Sequence, residues 1–222
     1  MLELDRIYNM DCLKGIKQLD DDSVDIVFTD PPYNVGKDYG VSKDNLPDWK
    51  YIQFIGHLII ELQRVARKGY AFYVDWKHFQ KYWKLLPDAT PIIIYKKSTG
   101  NIKDEHGIMQ HHHIILTNIK TSKQVKSIWD DVRVLGEGFY FREEKFNHPA
   151  QTTLKGTKKF IEFFTDEGDV VLDPFCGIGT TAVACKLLNR HFVGFELNEK
   201  FYNISLKRLL NQPEKLEKWL ET

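Results

Sequence analysis

The segment Val170-Val-Leu-Asp173-Pro-Phe-Cys-Gly177-Ile-Gly179-Thr-Thr-Ala182 constrains the fold more than any other stretch of the 222-residue chain. It passes from a short apolar strand through a glycine turn into the start of a helix, the opening of a βαβ unit. Glycines in such a turn let the backbone approach a nucleoside ligand, and an acid ending the next strand can accept hydrogen bonds from ribose hydroxyls. Glu196, at the end of the apolar run His191–Phe195, is that acid. Taken alone, the turn fits an NAD fingerprint equally well. A phosphate-cradling P-loop fits less well, because no Lys follows the last glycine. Asp173 tilts the choice: an acid just before the turn repels a pyrophosphate but suits a cationic ligand with an amino group, and S-adenosylmethionine is such a ligand.

Strand and helix patterns alternate along most of the chain. Residues 23–29 form a β-branched and aromatic run that ends at Asp30-Pro31-Pro32, since two prolines continue neither a ladder nor a helix. Residues 34–45 read as a long polar loop, and Tyr39 within it is a candidate contact for a bound nucleotide. From Pro47 to Lys68 the apolar positions Tyr51, Phe54, Ile55, Leu58, Ile59, Leu62 and Val65 recur every three or four residues and predict an amphipathic helix. Strands are expected at 69–74, 91–95, 114–119, 169–172 and 191–195, and helices at 77–86, 157–164, 180–188 and 199–210. Such alternation predicts an α/β fold in one domain spanning 1–222, with a doubly wound, mostly parallel sheet that binds ligands at the C-terminal ends of its strands. Between 120 and 147 the periodicity fades into basic and aromatic residues, which suggests an insertion rather than core, within a region of about 96–147 that is the candidate target-recognition insertion.

The Asp30-Pro31-Pro32-Tyr33 loop would stand at the same sheet edge as the glycine turn. The Asp30 carboxylate and the Pro31 carbonyl can both accept hydrogen bonds from one NH2 group, while Tyr33 offers a flat face for stacking. A planar ring bearing an exocyclic amine fits that pair. Two acceptors on its hydrogens favour a pyramidal nitrogen and release its lone pair for attack on a sulfonium methyl. No covalent enzyme intermediate is needed.

With these residues in place the chain resembles the amino-DNA methyltransferases that use S-adenosylmethionine, in the subgroup whose Asp-Pro-Pro-Tyr motif precedes the glycine motif. Asn9-Met-Asp11-Cys12-Leu13, the 23–34 segment, His148-Pro-Ala-Gln151, the 173–181 loop and Gly194-Phe-Glu196 are similar to family landmarks and stand in the family's order. The resemblance implies that Asp30, Pro31, Pro32 and Tyr33 take the target base. It also implies that Asp11, Cys12, Asp30, His148, Gln151, Asp173, Phe175, Cys176, Gly177, Gly179, Thr180, Thr181, Glu196 and Leu197 surround the cofactor. The chain departs from the family after Gln151, where Thr152-Thr153 replaces the common Lys-Pro. Asp rather than Ser at the first motif position favours adenine N6 over cytosine N4 as the acceptor. The target must then be rotated out of double-stranded DNA.

Charge is uneven although the net charge is zero. Residues 1–35 hold three Lys/Arg and eight Asp/Glu, 36–160 hold 21 and 13, and 161–222 hold seven and ten, giving −5, +8 and −3. The middle is the basic part, which either supplies an electropositive face for phosphates or is a solvated surface spread round the fold. A second copy of the chain and a cognate restriction endonuclease are further candidate partners. The rival readings are an N4-cytosine or RNA-base methyltransferase, an NAD-dependent oxidoreductase that leaves residues 30–33 without a role, and a non-catalytic DNA-binding module that leaves the cofactor motifs unexplained.

No metal is expected. Adjacent His111, His112 and His113 alternate faces on a strand and cannot meet one ion, and the three cysteines form no Cys-x-x-Cys pair. Without an apolar run of roughly 20 residues or a signal-like N-terminus, the expected location is the cytoplasm.

Overall fold

The computed structural model describes residues 2–40, 44–95, 112–129, 146 and 152–210. Its strands are β1 (Arg6–Tyr8), β2 (Val24–Thr29), β3 (Ala66–Val74), β4 (Thr90–Tyr95), β5 (His112–Thr117), β6 (Ile128–Trp129), β7 (Val170–Asp173) and β8 (His191–Phe195). They form one sheet in the order β1-β8-β7-β2-β3-β5-β4-β6. Every described neighbour pairing is parallel except those of β5, which runs antiparallel to both β3 and β4.

Helices cover both faces. On one side α1 (Cys12–Ile16), α2 (Asp48–Val65) and α3 (Phe79–Leu85) pack on Val27, Phe72, Leu116, Leu172 and Val193. On the other, α4 (Leu154–Phe164) and α5 (Thr180–Leu187) pack on Ile26, Phe28, Ala71, Ile115 and Val171. The two sets alternate along each strand, the period-2 rule applied to a sheet buried on both faces. All six residues of β2 are buried, and each fully buried Ile or Phe contributes about 1.5–3 kcal/mol. The helix α6 (Glu199–Leu210) closes the described chain.

Several boundaries differ from the sequence expectation, among them the start of α4, which lies at Leu154 rather than at residue 157. The helix from Pro47 ends at Val65 and enters β3 without a loop, although residues 66–68 looked helical. Arg67 and Lys68 pair with the buried Asp25, and Lys68 also with Asp169 at 2.6 Å, so tertiary ion pairs hold these residues extended. The strand expected at 114–119 is β5, displaced by two residues. Within the stretch read as an insertion, β6 pairs with β4 and Trp129 is fully buried, so this part belongs to the core. Most of 96–147, together with His111, lies outside the described residues.

The β2 strand occupies the centre, between β7 and β3. Phe28 stacks on Phe160 at 4.3 Å, and Phe160 on Phe164 at 4.4 Å. This aromatic column seats α4 directly under the end of β2, where Asp30 follows.

Candidate functional site

A cavity of about 340 Å³ opens at the C-terminal ends of β1, β8, β7 and β2, the edge where a doubly wound sheet binds ligands. Its wall includes Asp11, Cys12, Asp30, Pro31, Pro32, Tyr33, Asp173, Phe175, Cys176, Gly177, Thr180, Thr181, Glu196 and Leu197. Two distant sequence motifs and the N-terminal acid therefore meet in one place. Gly179 stands behind the wall. It adopts φ 79°, caps α5, and lies so close to α6 that a Cβ would meet the Ser205 Cβ at 2.8 Å. Its role is to turn the chain rather than to line the cavity. His148 and Gln151 lie outside the described residues. Phe146, just ahead of them, sits 4.9 Å beneath the guanidinium of Arg208, which donates to the Ile178 carbonyl at 2.7 Å.

The glycine-turn end is closely hydrogen-bonded. Asp173 accepts from the Phe175 amide at 3.1 Å and the Thr181 hydroxyl at 2.6 Å. Glu196 accepts from the Gly177 amide at 2.8 Å and the Asn198 amide at 2.7 Å, so both its oxygens are oriented from the backbone. Gly177 can present that amide because it holds φ 53°, a left-handed value that glycine adopts freely. Asp11 caps α1 by accepting from the Lys14 amide. Burial pushes Asp173 up to about 6 and raises Glu196 as well. Burial also lifts the Cys12 thiol to about 12 and raises the Cys176 thiol, so neither is a nucleophile near neutrality.

The opposite end is sparsely satisfied. Asp30 is held by one side-chain donor, the Tyr33 hydroxyl. Burial pushes its carboxyl up to about 7; the Tyr33 bond and Lys37 oppose this, while Asp173 adds to it. The loop from 34 to 46 is zipped at its stem, where Asn34 and Leu46 exchange two bonds and Gly36 donates to the Asp44 carbonyl. Its Tyr39 carbonyl accepts from the Asn198 side chain at 2.6 Å, tying the loop to the Glu196 side of the cavity. Asp44 is buried at 8% exposure, and its Oδ1 has no partner among the described residues.

Sequence reading did not single out Asn34, Asp44, Tyr51, Phe54 or Tyr73, all of which reach the wall. Tyr51 and Phe54 were visible only as apolar positions of a helix, a pattern that conceals the Tyr51 hydroxyl. Nothing local marks Tyr73, whose place follows from the parallel pairing of β3 with β2.

Five carboxylates line the cavity (Asp11, Asp30, Asp44, Asp173 and Glu196), and the described lining contains no Lys, Arg or His. Such a wall disfavours a pyrophosphate and favours a cation or a donor-rich ligand. Among the described residues no cluster of His, Cys, Asp and Glu is placed to hold a metal, and no helix is long and apolar enough to cross a membrane.

A family model described as DNA methylase, covering N6 and N4 enzymes, matches residues 78–207. The DNA adenine methyltransferase YhdJ of Escherichia coli (strain K12) is 27% identical over 93% of this chain and 83% of its own length. The crystal structure of an M1.HpyAVI–SAM complex is similar at a TM-score of 0.66 and 24% identity, covering 91% of this chain and 98% of that one. The cytosine-N4-specific PvuII DNA methyltransferase is similar at a TM-score of 0.73 and 14% identity, covering 97% and 89%. At these identities the two structures speak for the fold.

Proposed function

Because the chain belongs to the N6/N4 DNA methylase family and is a DNA methyltransferase, we propose that it methylates the exocyclic N6 amine of an adenine turned out of the duplex, with S-adenosylmethionine as donor. The observation that carries this reading is one cavity in which the 30–33 loop faces Asp173 and Glu196 across a wall of carboxylates whose described lining holds no Lys, Arg or His. That set of acceptors fits the donor's ammonium, sulfonium and ribose hydroxyls. Asp173 would attract the cationic end and Glu196 would accept from the ribose, while Gly177 and Phe175 shape the floor. When bound, S-adenosylmethionine supplies an electrophilic methyl group on a sulfonium.

Turning the base out costs roughly a few kcal/mol, offset by stacking on Tyr33 and by hydrogen bonds from the amine. The amine displaces the Tyr33 hydroxyl from Asp30 and gives one hydrogen to the Asp30 carboxylate and one to the Pro31 carbonyl. Its nitrogen becomes pyramidal, and its lone pair points along the line of attack. As the N–C bond formed and the methyl–sulfur bond broke, leaving the donor as a neutral thioether, the nitrogen would shed one proton to Asp30, whose pKa of about 7 would let it release that proton to solvent. Asp at the first motif position and the likeness to an adenine enzyme support N6 as the acceptor.

The test is transfer from labelled S-adenosylmethionine to unmethylated DNA, followed by nucleoside analysis. Labelled N6-methyladenine is expected. Labelled N4-methylcytosine would overturn the base assignment, and labelling of RNA alone would overturn the substrate.

A further inference from the structure

We propose that the buried tyrosine pair Tyr51 and Tyr82 positions the 30–33 loop for methyl transfer, acting from behind the loop through the Pro32 carbonyl; this rests on the reading of residues 30–33 given above. The Tyr51 hydroxyl donates to that carbonyl at 3.0 Å and lies 2.8 Å from the Tyr82 hydroxyl. Tyr51 has one hydroxyl hydrogen, and Pro32 takes it. Tyr82 must therefore donate to Tyr51, and the two hydroxyls form a chain with one direction, from α3 through α2 to the loop. Burial raises the pKa of both phenols, so both remain protonated donors across the working range.

The rings are fixed on all sides. Tyr51 is 2% exposed and Tyr82 is fully buried. The His78 ring meets Tyr51 edge-on at 5.1 Å, and His78 is itself tied to Asp75 at 2.9 Å. Phe72 of β3 packs against Tyr82 with ring centroids 6.4 Å apart. The loop, by contrast, has few ties of its own. Pro31 and Pro32 lack amide donors, and the Asp30 carboxylate is bonded to Tyr33 inside the same loop. The hydroxyl of Tyr51 thus links this loop to the rigid helix layer.

Its leverage is geometric. Proline rings lock φ at Pro31 and Pro32. Once the Pro32 carbonyl is pinned, little freedom remains in the Pro31 carbonyl one peptide earlier or in the start of the Tyr33 side chain one residue later. The acceptor and the stacking ring are thereby set before a base arrives. Misplacement of reacting groups by about 1 Å can cost up to 100-fold in rate, so a lost anchor should appear in the transfer step and not in binding.

The test uses the full chain with Tyr51→Phe, Tyr82→Phe and the double variant, each of which keeps its ring. Single-turnover methylation at saturating cofactor is expected to fall about tenfold or more in Tyr51→Phe. Cofactor dissociation constant and DNA KM are expected to stay within about twofold, and cofactor titration with a cooperative melt certifies the fold. Tyr82→Phe should lose about threefold. Because the two hydroxyls act in series, the double variant should be no slower than Tyr51→Phe. A wild-type rate in Tyr51→Phe overturns the proposal. So do losses that multiply in the double variant, or a loss of cofactor affinity parallel to the loss of rate. An Asp30→Asn control separates the two layers: if it is inactive while Tyr51→Phe is normal, only the tyrosine pair is dismissed, whereas a normal rate in Asp30→Asn removes the reading of the loop itself.

Discussion

The two ends of the cavity are built differently. At the glycine turn, Asp173 and Glu196 each accept two hydrogen bonds from the surrounding chain, so the protein itself orients their oxygens. At the loop end, Asp30 has one side-chain donor from within its own motif, and Asp44 keeps an oxygen without a partner among the described residues. Buried acceptors short of donors are costly. A ligand that brings donors to the loop end relieves that cost, whereas a ligand at the glycine end meets a surface already satisfied. The first end is suited to hold, and the second to take a donor-bearing group and change it.

Substitutions can break or sharpen this contrast. The largest effect is expected at the loop end, where Asp30→Asn should lower single-turnover methylation by roughly 1,000-fold or more, because the carboxylate meets the charge that develops on the amine. A loss under tenfold would mean that the loop end does not perform the chemistry. The next belongs to the glycine end. Glu196→Ala frees the Gly177 and Asn198 amides and removes the ribose acceptor, so cofactor affinity measured by titration should weaken about 10- to 100-fold. The rate at saturating cofactor should stay within about fivefold.

The smallest effect is on stability and follows from the sign of one shift. Asp30 is raised from 3.8 to about 7 by burial, so the fold prefers its protonated form. The penalty is absent below the unfolded value, grows as pH climbs between the two, and is complete above about 7. Asp30→Asn should therefore stabilise the chain at pH 8 by on the order of 1 kcal/mol, or roughly 2–4 °C in Tm. That gain should vanish at pH 4. Thermal melts at both pH values check it, and destabilisation at pH 8 would mean that the charged carboxylate is favoured by the fold.

Much of the sheet was legible because its strands are short apolar runs bounded by glycine, proline or acid, and its helices carry a 3.6-residue stripe. The motifs that meet in the cavity were legible for a related reason: Asp173, Gly177, Glu196 and residues 30–33 have backbone demands that few residue types satisfy. The rest depended on long-range partners. Ala66, Arg67 and Lys68 look helical until Asp25 and Asp169 extend them. Trp129 seemed part of a polar insertion because β6 has two residues, too few for any period. Tyr51 matched a helix stripe so well that its hydroxyl, which reaches Pro32, went unnoticed.

The central claim is that the two ends divide binding from chemistry, and the most direct test is the cofactor dissociation constant of Asp30→Asn, titrated without DNA beside the wild type. The account expects values within about threefold of each other although transfer is lost, since the glycine end is intact and its acceptors keep their own donors. Loss of cofactor affinity together with the rate would contradict it, and would make the cavity one undivided binding surface.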